Sequence, residues 1–379
     1  MKIIYFANIR LPTEKAHGLQ IMKTCEALAE AGVGVELVVP IRRNHLTSEP
    51  FDFYKVKNNF SITKIGCIDG LAWPVFKSFG FWIQTFSFYF RAKKLILPHT
   101  TAAVFTRDLV GAWWLAKTGA KVFYELHTIP EKITWLHRAA WSRAAGLVVI
   151  SNGIKTKLVA EGVSAKKILV ARDAIDLTDY GKQLDKKDCR SMLGLPEDLK
   201  IIIYTGHLYD WKGADVLAQA AQLISSENQV YLVGGTAQDI ARFKKQYTGS
   251  NLHIVGWQDH ARIPLWHAAA DLLVLPNSAR LAISRLYTSP MKLFEYLASG
   301  TPLIASDLPA LREVVSVEEV VFCAPDDPAA LARAIEDTLE PAKYSAALAS
   351  AALAAKSTLA AHTWPMRAGT IKEFILNSL

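Results

Sequence analysis

An α/β fold of two Rossmann-like domains with a cleft between them is predicted by three features of the sequence. The chain has 379 residues, 51% of them apolar, which exceeds what one hydrophobic core organises, since single cores stop growing near ~250–300 residues. Short apolar runs alternate with helical stretches along its length, the pattern of a parallel sheet covered on both faces. The alternation breaks once, at a polar tract from Tyr180 to Lys200 that carries Pro196, and then resumes.

In the first half, Ile3–Asn8 is a short apolar run, Gly18–Ala31 has helical spacing and Val33–Pro40 is apolar again, a βαβ opening. Ala103–Thr106, Lys121–Leu126, Gly146–Ile150 and Ile168–Ala171 are the next strands expected. After the polar tract the predicted strands are Lys200–Thr205, Gln229–Val233, Leu252–Val255, Leu272–Pro276, Pro302–Ala305 and Val320–Cys323, each followed by a turn and a helical segment. The Ala-rich stretch Ala342–Ala361 reads as a strong helix former. The expected domains are therefore residues 1–190 and 191–362, with 363–379 as a final helix.

Composition narrows the functional classes. Cys25, Cys67, Cys189 and Cys323 are far apart and make no zinc-site spacing, so neither a disulfide framework nor a structural metal is expected. The apolar start Met1–Ala7 is too short for a signal peptide and runs on into Asn8 and Arg10, which reads as a cytoplasmic protein opening on a buried strand. Residues 1–190 carry 28 Lys and Arg against 16 Asp and Glu, a net +12, while the remainder is −4. That basic half implies an anionic partner or a solvated basic surface. Without zinc-finger spacing, an RNP-like strand or a Lys/Arg-dense tract, nucleic acid is not the expected partner; an anionic membrane surface or a phosphorylated acceptor is. Leu71–Phe90 holds six Phe, two Trp and one Tyr, interrupted by Pro74, Lys77, Gly80 and Gln84. It reads either as an aromatic core helix or as a helix lying in a membrane interface, flanked by Arg91, Lys93 and Lys94, peripheral at the inner membrane face.

Two loops carry chemistry. Tyr204-Thr-Gly-His-Leu-Tyr-Asp-Trp-Lys-Gly213 joins a strand to the helical run Ala214–Ile224, placing backbone N–H groups and a helix N-terminus where a phosphate can sit, with Lys212 as a mobile cation. Leu286-Tyr-Thr-Ser-Pro-Met-Lys-Leu-Phe-Glu295 opens a second helix that Gly300 ends. Thr288 and Ser289 precede Pro290, which is expected at the first helical position, where its missing N–H costs least. Glu295 shares a helix side with Met291 or Lys292 and reads either as an acceptor for a ribose diol or as a solvated side chain.

These loops resemble those of glycosyltransferase family 4, and the similarity extends over nearly the whole chain. The family pattern G-R-L-x-x-x-K-G is matched by Gly206, His207, Leu208, Lys212 and Gly213, with His207 in place of Arg. A Glu, seven residues and a second Glu is matched by Glu295, with Tyr287 at the first position. Gly256-Trp257 resembles the nucleobase-contacting region, although Trp257 also reads as core. Asp307–Glu313 matches the loop after the next strand, and Thr363–Ala368 the start of a last helix that crosses back to the first domain.

The resemblance implies the GT-B fold, with an acceptor-side first domain and a nucleotide-sugar-binding second domain. It implies retaining, metal-independent transfer of a hexose-type sugar from a UDP-linked or other nucleotide sugar to a glycan, lipid-linked or small-molecule acceptor. No cofactor is expected, because the nucleotide sugar is a substrate. Lys212, Glu295 and His127 are the implied catalytic residues, His127 lying at a strand end where family members reach the donor sugar. Gly18, Gly206, His207, Gly256, Trp257, Tyr287, Thr288, Ser289, Met291 and Lys292 complete the implied donor contacts, and Lys15 and His17 are acceptor candidates. His207 for Arg implies a pH-dependent contact and more reliance on Lys212. A nicotinamide dehydrogenase is disfavoured because Ala7-Asn-Ile-Arg10 stands where G-x-G-x-x-G is needed. A sugar-nucleotide epimerase of the same architecture and a catalytically silent nucleotide-sugar-binding protein are the remaining alternatives.

Overall fold

The computed structural model describes residues 1–70, 77–96, 102–176, 180 and 184–379. They form two compact units: Met1–Ile150, Ile154–Asp173 and Trp364–Leu379 in one, Ser151–Gly153 and Ala174–Thr363 in the other.

In the first part the chain runs β1 (Lys2–Phe6), α1 (Ala16–Glu30), β2 (Gly34–Ile41), α2 (Pro50–Tyr54), β3 (Ser61–Gly66), α3 (Lys77–Ile96), β4 (Ala103–Thr106), α4 (Leu109–Ala116), β5 (Val122–Leu126), α5 (Trp135–Arg143), β6 (Gly146–Val149), α6 (Asn152–Ala160) and β7 (Ile168–Val170). Its strands make one parallel sheet in the order β3-β2-β1-β4-β5-β6-β7. The chain then runs α7 (Lys186–Leu193), β8 (Lys200–Thr205), α8 (Ala214–Ala220), β9 (Asn228–Val233), α9 (Ala237–Gln246), β10 (Leu252–Gly256), α10 (Ile263–Ala269), β11 (Leu272–Leu275), α11 (Met291–Ala298), β12 (Leu303–Ser306), α12 (Pro309–Arg312), β13 (Val321–Cys323), α13 (Pro328–Leu339), α14 (Pro341–Ala361) and α15 (Trp364–Leu376). The second parallel sheet is ordered β10-β9-β8-β11-β12-β13.

Two Rossmann-like α/β units are thus what the chain builds. The central strands are buried on both faces, so their sequences read as continuous apolar runs. In β8, Ile202 and Tyr204 enter the apolar cluster on one side of the sheet, and Ile201 and Ile203 enter that on the other, the alternation a strand imposes. β3 is the strand absent from the sequence prediction. Its segment SITKIG lies at the sheet edge and is half-buried or exposed throughout, so no apolar run marks it. The expected boundary at residue 190 falls inside α7, whose residues group with the second unit, and α15 groups with the first, packing against α1.

Each sheet reverses direction once, between β1 and β4 and between β8 and β11. Such reversals open a crevice beyond the carboxyl ends of the strands, where open α/β sheets bind ligands.

Candidate functional site

In the second unit the loop after β8 occupies this reversal. Gly206 takes φ 129° and Gly213 φ 71°, values that favour glycine, and a side chain on Gly213 would collide with the Pro276 carbonyl at the end of β11. A methyl group on Gly206 would lie 3.1 Å from Lys292 Nζ, so the α11 lysine reaches the glycine loop. Its ammonium sits 3.9 Å from the centre of the Tyr204 ring, and the Tyr204 hydroxyl donates to the His207 carbonyl at 2.6 Å. Lys292 Nζ is buried and has no hydrogen-bond partner among the described residues. Burial, with Lys212 nearby, holds its pKa well below the usual lysine range against the opposing pull of Glu295.

Lys212 ends a short 3-10 turn over Asp210–Lys212, its Nζ 3.8 Å above the Trp211 ring. His207 stacks on Tyr209 at 4.9 Å; burial and then the charges of Lys292 and Lys212 lower its pKa. The histidine standing for the family Arg is therefore a neutral hydrogen-bonding group at neutral pH.

The second loop differs locally from expectation. Ile283–Tyr287 forms a π-helical turn, a local distortion frequent at functional sites, so Leu286 and Tyr287 are helical. Pro290 is the N-cap of α11, and the helix begins at Met291: with ψ 119°, the proline is still extended, so the helix starts one residue later than predicted. Thr288 and Ser289 are buried. Tyr296 fastens α11 to the end of β8, its hydroxyl accepting from Thr205 N at 2.7 Å.

Glu295 is largely buried, which removes the solvated alternative. His260 Nε2, in the loop after β10, lies 3.4 Å from its Oε1. Burial would raise the Glu295 pKa, but His260, His267 and Lys292 outweigh it and hold the group below the usual range, so the carboxylate is ionised. At the end of β10 Gly256 has φ 86°, and the next residue, Trp257, is 70% exposed, which excludes the core reading of that ring.

In the first unit, Glu125 on β5 is the centre of a buried charge cluster. Its carboxylate meets an Arg367 Nη2 donor from α15, the Tyr5 hydroxyl at 3.2 Å, His127 Nε2 at 3.2 Å and Arg107 Nε at 3.9 Å. Burial alone would raise its pKa, yet Arg367, His127 and Arg107 hold it well below the carboxylate range. His127 follows β5; burial and then Arg107 lower its pKa although Glu125 opposes them. Burial, Arg107, Lys15 and His127 lower that of His17 to about 4. Two neutral imidazoles thus share the field of Arg107 at the ends of β4 and β5 and the start of α1. Lys15 is exposed at the N-cap of α1.

Gly18 departs from expectation. It lies within the first turns of α1 and is buried, and the position of its absent side chain is filled by the Tyr54 hydroxyl and Thr13. That hydroxyl accepts from Thr13 N and donates to Thr13 O, both at 2.7 Å. Gly18 therefore admits Tyr54 against the helix, and no ligand contact is assigned to it. Tyr204, His260, Tyr296, Glu125 and Arg367 were not among the expected site residues; Tyr296 directly follows Glu295, but the others carry no local sequence signal.

Residues 199–341 match the family Glycosyl transferases group 1. Among curated relatives, D-inositol 3-phosphate glycosyltransferase 1 of Catenulispora acidiphila is 27% identical over 207 residues, 50% of this chain and 48% of that protein. The putative teichuronic acid biosynthesis glycosyltransferase TuaC of Bacillus subtilis is 27% identical over 203 residues, 52% of this chain and 48% of that one. The chain thus spans about half the length of these relatives. Across the whole fold, HepE of Anabaena in complex with UDP-glucose superposes with TM-score 0.76 at 16% identity, covering 100% of both chains. Sucrose-phosphate synthase of Thermosynechococcus elongatus gives TM-score 0.77 at 19% identity, over 100% of this chain and 99% of that one.

The fold is that of GT-B proteins, and residues 199–341 are similar to glycosyltransferases. The matched segment contains the whole glycine loop, the π-helical turn and α11, so Lys212, Lys292 and Glu295 all fall inside the matched region. Nothing in that match reaches the Glu125 cluster, which rests on the geometry of the first unit.

Proposed function

We propose that the protein is a retaining hexosyltransferase that uses a UDP-linked sugar and no divalent metal. The observation that carries this reading is the buried Lys292 amine, without a hydrogen-bond partner among the described residues, against the glycine loop at the second sheet's reversal. A buried cation left unpaired is costly unless an anion completes it, and a diphosphate is the anion such a loop admits. Lys212 contributes a second charge, Glu295 is an acceptor for the ribose hydroxyls, and exposed Trp257 offers a face for the base.

In the transfer, the acceptor hydroxyl attacks the anomeric carbon on the face from which UDP departs. The bond from that carbon to the β-phosphate oxygen breaks, its electron pair stays on the phosphate, and that oxygen takes the hydroxyl proton. Lys292 and Lys212 stabilise the charge as it develops, which is preorganised electrostatic catalysis. His127 and His17, both neutral, are the first unit's candidate partners for sugar hydroxyls. A glycan, lipid-linked molecule or small molecule is the acceptor class.

Incubation with nucleotide sugars and candidate acceptors tests the reading. Acceptor-dependent UDP release in excess EDTA, with a product of unchanged anomeric configuration by NMR, is expected. Inversion, or activity restored only by Mn²⁺, overturns the mechanism; sugar isomerisation without transfer identifies an epimerase, and binding without turnover a silent binder. Lys212→Ala should weaken UDP binding by about one to two orders of magnitude, because charge-assisted hydrogen bonds contribute ~1.5–3 kcal/mol. Unchanged affinity in calorimetry would remove Lys212 from the site.

A further inference from the structure

Helix α3 carries apolar residues on both sides. Gln84, Thr85, Phe88, Tyr89 and Ala92 form its buried side. On the opposite side Phe79, Trp82, Phe86 and Phe90, spaced by three and four residues, are all exposed, Phe79 by 63%. Residues 71–76 of the aromatic segment lie outside the described residues.

The exposed stripe continues into neighbouring helices as a connected series of rings. Trp82 stacks on Phe86 at 5.8 Å, Phe86 meets Trp114 on α4 at 5.8 Å, Trp113 lies 5.9 Å from Trp114, and Trp135 at the start of α5 lies 5.8 Å from Trp113. Trp135 is 68% exposed. A contiguous aromatic face of this kind marks an interaction surface.

Charge selects the partner. Lys93 Nζ lies 4.3 Å from the centre of the Phe90 ring and Lys117 Nζ 3.6 Å from that of Trp113, so ammonium groups rim the aromatic face. Between residues 77 and 143 the chain has ten Lys and Arg and three Asp and Glu. Two of the three acids point inward: Asp108 accepts from Tyr89 and Asn8, and Glu125 is buried. Glu131 is the exposed one. A second copy docked here would bring like charges together, whereas anionic lipid supplies the missing negative charge and admits Trp and Phe at headgroup depth. No helix among the described residues is long and apolar enough to cross a membrane, so contact is with the surface.

We propose that the α3–α4–α5 face of the first unit docks on an anionic membrane, with its aromatic rings in the interface and Lys93, Lys94 and Lys117 against lipid headgroups. This stands independently of sugar transfer. The test is co-sedimentation of the full chain with phosphatidylcholine vesicles made with or without phosphatidylglycerol, at low and high salt. The wild type should pellet with phosphatidylglycerol vesicles at low salt. Trp82→Ser with Phe86→Ser, and separately Lys93→Glu with Lys94→Glu, should each lower partitioning about tenfold or more, with circular-dichroism melting checked for every variant. If the serine variant is unfolded, the charge-reversal variant carries the test. Failure of the wild type to pellet, or wild-type partitioning by a folded variant, overturns the proposal. So does a concentration-dependent dimer in sedimentation velocity that the serine variant abolishes while vesicle binding persists.

Discussion

Lys292→Met is expected to lower UDP affinity by about two orders of magnitude or more while making the ligand-free protein more stable. Removing one partner of a buried charge pair costs roughly 2–5 kcal/mol of binding, and Lys292 is the buried cation against the Gly206 loop. Without ligand the same ammonium is unsatisfied, and relieving such a group returns about 1–3 kcal/mol. Its folded pKa lies below the ordinary lysine value, so the unfolded chain holds more protons and wild-type stability rises with pH across that window. The gain from methionine should therefore be largest below the folded pKa and fade toward the ordinary lysine value. At pH values above the folded pKa, where the free amine is neutral, UDP binding should take up a proton, visible as a calorimetric enthalpy that varies with the buffer. Wild-type affinity in the variant would exclude Lys292 from the donor site.

Arg367→Met should destabilise the protein by about 3–5 kcal/mol, because it leaves Glu125 ionised and buried without its main counter-charge. Arg367 also donates to the Arg172 carbonyl at 2.9 Å and to Thr24 Oγ1 at 3.3 Å, so one side chain joins α15 to α1 and to the segment after β7. Adding Glu125→Gln should recover part of the loss. The wild-type contribution of Glu125 is full above the ordinary Glu pKa and is lost as pH falls through its lowered folded value. The variant should lack that acid-side dependence. Denaturant unfolding across pH measures both, and a loss below about 1 kcal/mol would show that the pair is energetically minor.

What was legible in the sequence follows from how each residue is used. Buried strands such as Ile201–Tyr204 and Leu272–Leu275 are apolar on both sides, so composition alone marks them. Edge strand β3 has no such demand and passed unseen. The glycine loop was legible because its backbone φ values require particular residues at particular spacings. The start of α11 lies one residue beyond the sequence prediction, since Pro is favoured at the first helical position and an extended N-cap proline has the same local sequence. Burial of Lys292 was not legible: the lysine code says nothing about whether Tyr204 lies beneath it. The Glu125–Arg367 pair was hidden for a different reason, because 242 residues separate its members. The sequence around Trp257 suits core and surface alike, and only its place in the fold decides between them.

That separation has a consequence for biosynthesis. The first unit is assembled from chain made at two different times, for α15 emerges after all of β8–β13. Domains usually fold as units, N-terminal first, while the ribosome is still at work, but here the N-terminal unit waits for its closing helix. Until then Glu125 has no Arg367, and the face of α1 that α15 covers stands open. The second unit has no such wait for α15. Translation order and folding order are therefore expected to be inverted, with the later-made unit maturing first and a ribosome stalled before α15 holding a first unit still vulnerable to proteases.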